Sequence, residues 1–448
     1  MATTRRSRPS GTWLDSTHPV RCALRTTCVP PHYAVIGSGV SGLVAAHVLA
    51  RSGRVTVFEA DDRAGGHAHT HDVRLADGTT VPVDSGFIVH NDRTYPTLQR
   101  LLGDLSVETR PTDMSMSVFS ERTGWQYAGG QGVRGILADP HTVRRPAYLR
   151  MLWQVRRFHR AATSFLADAA DDDLTSIGDW LTGLRFGESF REHFATPLIA
   201  AVWSCSPQDA LSYPARSLLT FLQHHGMLTV TGSPTWRTIA GGSRTYVDRV
   251  LADARIDIQL STPVRAVAPR DDSVTVQTDD AEHDFGAVVV ATHPSAALAM
   301  LKSPTPHQAQ VLAALRYSLN PALLHTDSSV LPPAPAARAS WNYRLPSKPA
   351  DGVLVSYDLT RLMRLPSPED QRVLVTLGGE DRVDPATVLA RMTYEHPLYT
   401  DEFVAAQARL PLLREPRIAF AGAYHGWGFH EDGALSGLRA AEALGGSW

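Results

Sequence analysis

The chain has 448 residues, 43% hydrophobic and 20% charged, more than one hydrophobic core usually serves, so two domains are expected. A formal net charge of −2 gives no polyanion signature; Lys302 and Lys348 are the only lysines among 43 basic residues, an arginine bias that argues for no nucleic-acid partner. Three cysteines, Cys22, Cys28 and Cys205, form neither a disulfide framework nor a zinc pattern, which fits a cytoplasmic protein.

Residues 1–32 carry Arg5, Arg6 and Arg8 but no apolar core of a signal peptide, and read as a disordered extension or a misplaced start codon. Tyr33–Ile36 is a short apolar run suited to a buried parallel strand. Gly37, Gly39 and Gly42 then fill the three positions of a dinucleotide fingerprint: the tight turn, the pyrophosphate approach and helix–strand packing. A helix from about Ser41 directs its N-terminus at the phosphates. Val55–Glu59 supplies the second strand, and Glu59 stands where a carboxylate accepts hydrogen bonds from a ribose 2′-hydroxyl and disfavours a 2′-phosphate.

Arg63 and a second glycine pair, Gly65–Gly66, follow the acid, and His67 comes next. His67, His69 and His71 alternate, a spacing that puts them on one face of an extended segment; the need for that segment beside the cofactor argues against zinc, so no metal is expected. Val73–Leu75 and Thr80–Val83 flank Asp77–Gly78, a hairpin turn signal, and lead into the VDSGF phrase, where Gly86 permits a close backbone approach. Residues from about 100 to 233 read as helices and loops. Within them, 147–166 form an amphipathic helix with Tyr148, Met151, Leu152, Val155, Phe158, Ala162 and Phe165 on one side and Arg150, Arg156, Arg157 and Arg160 on the other. Core packing with a solvated arginine face and contact with anionic lipid are both open to such a helix, and no run approaches a membrane span, so membrane contact is at most peripheral. Strands near Ile256–Gln259, Val274–Thr278 and Ala287–Ala291 follow. The far end, Arg417 to Leu444, reads as a strand ending in Gly422, an aromatic loop, and the pair Asp432–Gly433 opening a helix whose N-terminus is a second anion site.

These phrases resemble the flavin-containing amine oxidoreductase superfamily, which includes monoamine oxidases, protoporphyrinogen oxidase and phytoene desaturase. GGHAHTHDV, VDSGFIVHNDRTYP, MSMSV, PTWRTIAGGSRTYV, SWNY and GWGFHEDG resemble more narrowly a branch of FAD-binding oxidoreductases encoded beside cyclopropane fatty acid synthases. The resemblance implies an α/β fold: a Rossmann-like, glutathione reductase-type FAD-binding domain interleaved with an α+β substrate domain. The FAD-binding parts would be 33–99, 234–299 and 415–448, and the substrate parts 100–233 and 300–414. It implies noncovalent FAD held by Gly37, Gly39, Ser41, Gly42, Glu59, Arg63, Gly65, Gly66, His67, Gly86, Val264, Gly422, Asp432 and Gly433. In relatives, the residue at Val264 holds the adenine through its backbone, and an arginine stands at His67.

Amine oxidases of the superfamily carry a lysine bridged to the flavin in the stretch that here reads RYSLNPALLHTD, which has none. Candidate pocket residues are Trp203, Trp236, Trp341, Tyr343, His425, Trp427, Phe429 and His430. Among them His425, His430 and Trp427 are candidate catalytic residues, the histidines because imidazole titrates near neutrality. The expected activity is hydride removal from a hydrophobic or lipid substrate, a desaturase-like step on a modified fatty acyl chain, with a lipid-modifying methyltransferase as partner. The alternatives are an amine or amino-acid oxidase using oxygen and a nonredox FAD-binding partner of a lipid-modifying enzyme.

Overall fold

A computed structural model describes residues 31–448 apart from 169–172, 229–231, 348–352, 368–370 and 414; the extension expected at the N-terminus lies outside the described residues up to Pro30. The strand at the start of the fingerprint runs His32–Ile36 and pairs in parallel with Arg54–Phe58 on one side and Ala287–Val290 on the other. Ile256–Gln259 and Ile418–Phe420 complete a five-stranded parallel sheet, so three distant parts of the chain meet at its centre. Buried on both faces, its central strands are near-continuous apolar runs such as Ala287–Val290, whereas the edge strand Ile256–Gln259 alternates.

The helix Val40–Leu49 follows the glycine turn, and every residue in it except His47 is buried. Such an all-round apolar helix needs cover on both sides. The sheet gives one, and the C-terminal helix His430–Ala443 gives the other. Their approach depends on small residues: a Cβ on Gly437 would stand 2.1 Å from the Ser41 carbonyl oxygen, and one on Gly433 would stand 2.6 Å from Val40 Cγ1.

A seven-stranded sheet forms the second layer, in the order Val388–Pro397, Tyr317–His325, Leu374–Leu377, Val355–Asp358, Trp341–Leu345, Met116–Ser120 and Gln126–Gly129. The hairpin of its last two strands departs from the helical reading of 100–233. Val118 and Tyr127 face each other across it, and the adjacent Ser117 and Ala128 are buried as well, so the strands lack the clean period of two that would mark them in the sequence. The helices Pro146–Asp168, Thr196–Trp203 and Ala215–His224 pack beside this sheet, and the hairpin Thr70–Arg74/Thr80–Asp84 is present as its turn signal predicts.

Candidate functional site

The fingerprint glycines divide by the space around them. Gly37 has φ +97°, a conformation L side chains rarely adopt, and a Cβ on Gly42 would fall 1.9 Å from its carbonyl oxygen, so these two close the turn and seat the helix. Gly39 differs, because nothing lies within 4 Å of the place its Cβ would take. Its Cα is met from the other side by Gly66, which has φ +56°. An open, side-chain-free strip at a helix N-terminus is the shape a pyrophosphate requires.

Glu59 accepts hydrogen bonds from the Ser38 amide (2.8 Å), the Ser38 hydroxyl and the Asp61 amide (3.1 Å), which fixes its carboxylate at the end of its strand. Gly65 donates to the Ser38 carbonyl (3.2 Å) and so ties the second glycine pair to the first turn. Arg63 Nη1 is buried and has no hydrogen-bond partner among the described residues. Ser41 is buried in the first helical turn, and Val264, just before the strand Ala266–Pro269, is partly buried against the core. Gly86 makes its close approach to His67: a Cβ there would stand 2.3 Å from the His67 carbonyl oxygen.

The ring-bearing side chains above this cradle come from the substrate-side sheet. Strands Tyr317–His325 and Val388–Pro397 pair antiparallel with Asn320 opposite Tyr394 and Ser318 opposite His396, which places all four on one face. Tyr394 and His396 lie 5.0 Å and 5.7 Å from the His67 ring, centroid to centroid. Asn320 Nδ2 donates to His396 Nδ1 at 3.0 Å, so the neutral imidazole carries its proton on Nε2. Burial holds the His67 pKa well below the ordinary range and that of His396 down at about 4, with neighbouring histidines adding to both effects. The Tyr394 hydroxyl shares hydrogen bonds with Ser85 Oγ (2.7 Å) and His69 Nδ1 (3.2 Å), and His71 Nε2 meets Ser85 Oγ at 2.8 Å. His69 and His71 therefore sit in a hydrogen-bonded chain with Ser85 and Tyr394. No cluster of three or more metal-binding side chains occurs among the described residues.

The C-terminal loop shapes a second wall. Gly422 donates to Ser436 Oγ at 2.9 Å, and the Tyr424 ring covers it so closely that a Cβ would stand 2.2 Å from Cε1. His425 Nε2 is buried without a partner among the described residues, and burial followed by the Arg439 charge lowers its pKa to about 4. Phe429 stacks on Phe221 with centroids 4.8 Å apart, Trp203 stands 4.8 Å from Phe221, and Trp427 meets His224 edge-on at 5.3 Å. Trp427 and Phe429 line a cavity of about 570 Å³ together with Tyr95, His224, His225 and Leu435. Trp236 stacks near His225 with centroids 6.3 Å apart, whereas Trp341 and Tyr343 sit in the seven-stranded sheet, Tyr343 buried in the core.

Three sequence-predicted residues serve the loop and its helix. The helix begins at His430, two residues before Asp432–Gly433. Gly433 donates its amide to the Phe429 carbonyl and packs on Val40. Asp432 accepts from the Phe429 amide at 2.9 Å, and burial raises its pKa to about 6. His430 is stacked on Phe87 at 3.6 Å and bonded through Nε2 to the Tyr246 hydroxyl at 2.9 Å, enclosed on both sides. Asn320, Tyr394, His396 and Phe221 did not stand out in the sequence. The alternation of Tyr394 and His396 was the available signal, but it acquires meaning only through pairing with a strand some 70 residues earlier.

A parallel sheet whose first turn leaves a bare glycine strip, with an acid fixed at the next strand end, is the fold of a dinucleotide-dependent oxidoreductase. The family model for flavin containing amine oxidoreductases matches residues 40–445, and the chain belongs to that family. It is 29% identical over 289 residues to a Mycobacterium tuberculosis protein named as a flavin-containing monoamine oxidase, AofH, covering 62% of this chain and 61% of that one. It is 28% identical over 305 residues to the carotenoid phi-ring synthase of Streptomyces griseus, covering 63% and 56%. The chain thus spans about three fifths of the length of these curated relatives. Cyclohexylamine oxidase from Brevibacterium oxydans superposes with a TM-score of 0.64 at 19% identity over 93% of this chain and 98% of the other. A fatty acid isomerase from P. acnes that produces CLA superposes at 0.63 with 13% identity over the same shares; at these identities the likeness is one of fold.

FAD is the family's cofactor, and the residues present fit it. The Gly39–Gly66 strip accepts a pyrophosphate, the unpartnered Arg63 Nη1 suits its charge, and Glu59 suits the ribose hydroxyls.

Proposed function

We propose that the protein is an FAD-dependent oxidoreductase that removes hydride from a hydrophobic substrate, in a desaturase-like step on a modified fatty acyl or other lipid chain. FAD, when bound, supplies the hydride acceptor. The chain's residues hold the substrate, exclude water and set the polarity around the reacting bond.

The aromatic wall carries this reading. Tyr95, Trp427 and Phe429 present rings to the cavity, Phe221 and Trp203 pack behind Phe429, and the two carboxylates that line it are already engaged. Glu431 accepts from the Thr97 and Leu98 amides at 2.9 and 3.0 Å, and Asp432 holds its own loop. An ammonium group entering there meets no free carboxylate, whereas an apolar chain meets the rings it requires. Asn320 adds support: it stands in the stretch where amine oxidases carry lysine, and it orients the neutral His396 instead. At neutral pH the His396 ring therefore carries no charge.

Amine oxidation is the second reading, favoured by the likeness to the monoamine oxidase AofH. Titrating the holoprotein with a long-chain fatty acid and with cyclohexylamine, while recording the flavin difference spectrum, separates the two. The proposal expects the fatty acid to perturb the flavin and Phe429→Ala to weaken that binding at least tenfold. Perturbation by the amine alone would overturn it.

A further inference from the structure

The long helix Pro146–Asp168 buries Tyr148, Met151, Phe158 and Ala162, as its amphipathic pattern predicts, yet two of its largest apolar residues lie on the opposite side. Trp153 is 63% exposed and Leu149 52% exposed. At 100° per residue, Leu149, Trp153, Arg156 and Arg160 fall on one outward stripe, with Arg150 on its flank. Arg150, Arg156 and Arg160 are exposed and have no acidic partner among the described residues. Arg157, by contrast, bonds the Leu184 carbonyl and lies over the Phe186 ring.

The short helix Gly132–Ile136 joins this end of the molecule through the Tyr148 hydroxyl, which donates to the Ile136 carbonyl at 2.7 Å, and it adds exposed Val133 (69%) and Leu137 (49%). Between Val133 and Ala167 the sequence has seven arginines and one acid. That acid, Asp139, is buried and accepts the His141 and Thr142 amides.

We propose that this face docks on an anionic lipid bilayer, with Trp153 and Leu149 entering the headgroup–acyl boundary and Arg150, Arg156 and Arg160 pairing with lipid phosphates. Charge complementarity selects the occupant: a solvated helix face gains nothing from an exposed tryptophan and leucine amid unpaired arginines, whereas an interfacial helix is built from these parts. The inward face packs on Ala215–His224, the helix that carries Phe221 and His224 of the aromatic wall, so the docked face lies one helix away from the cavity. The inference does not rest on the proposed substrate.

The test uses full-length holoprotein and flotation with phosphatidylcholine vesicles, with and without phosphatidylglycerol. Binding is expected on the anionic vesicles only, falling with salt. The triple variant R150Q/R156Q/R160Q is expected to lose on the order of 100-fold in partitioning. L149Q/W153Q is expected to lose binding as well, and brominated lipid should quench wild type more than Trp153→Phe. Flavin absorbance and melting temperature check that each variant is folded. No binding to anionic vesicles, binding unchanged in both variants, or binding of nucleic acid without lipid would overturn the proposal.

Discussion

Arg63→Met is expected to move the cofactor-free and cofactor-bound proteins in opposite directions. Without FAD, Nη1 is a buried donor with nothing to donate to, and such a group costs about 1–3 kcal/mol in lost hydration. Methionine keeps most of the apolar stem and removes that cost, so the apoprotein should be stabilised by that order. With FAD bound, a charge-assisted hydrogen bond to a phosphate contributes about 1.5–3 kcal/mol, and its loss should raise the FAD Kd roughly 10- to 150-fold. The charge of Arg63 also lowers the pKa of His67, His69 and His71, so the substitution should move those three upward. Stripped protein is titrated with FAD by flavin fluorescence quenching, and chemical denaturation is followed with and without the cofactor. Equal destabilisation of both forms, with FAD affinity unchanged, would refute the assignment of Arg63 to the phosphates.

Further expectations concern the rest of the scaffold. Burial lowers the His430 pKa from 6.5 to about 3, so the unfolded chain binds the proton more tightly and this group's share of stability falls as pH drops below 6.5. Between pH 6.5 and 5 that share is about 2 kcal/mol, and His430→Gln should flatten the denaturation midpoint over this window; an unchanged slope would contradict it. Gly437→Ala forces a Cβ to 2.1 Å from the Ser41 carbonyl, so the C-terminal helix must move and stability should fall by about 1–3 kcal/mol in urea unfolding. Cys205 is buried and its thiol is pushed up to about 12, so in a chain with Cys22 and Cys28 replaced by alanine, native protein should not react with Ellman's reagent and denatured protein should release one equivalent.

The cofactor cradle was legible because it is local: turn, helix and acid lie within one βαβ unit, and each glycine has a steric duty readable from its spacing. The closing motif was only partly legible. Its glycines look alike in sequence, but Gly422 makes room for the Tyr424 ring while Gly433 and Gly437 let two helices meet, and only packing tells them apart. His430 shows the same limit, since stacking on Phe87 and bonding to Tyr246 are long-range facts. The Asn320–His396 pair was invisible for a further reason: strand register decides which side chains share a face, and a shift of one residue would have turned His396 away. The hairpin Met116–Gly129 was masked because adjacent residues in both of its strands are buried, which blurs the alternation.

Anaerobic bleaching of the bound flavin tests the central claim most directly. Stripped of oxygen, the holoprotein is mixed with a bacterial lipid extract and, separately, with primary, secondary and polyamine substrates. The account predicts that the flavin absorbance is lost with the lipid extract and retained with the amines; bleaching by an amine, with none by lipid, would contradict it.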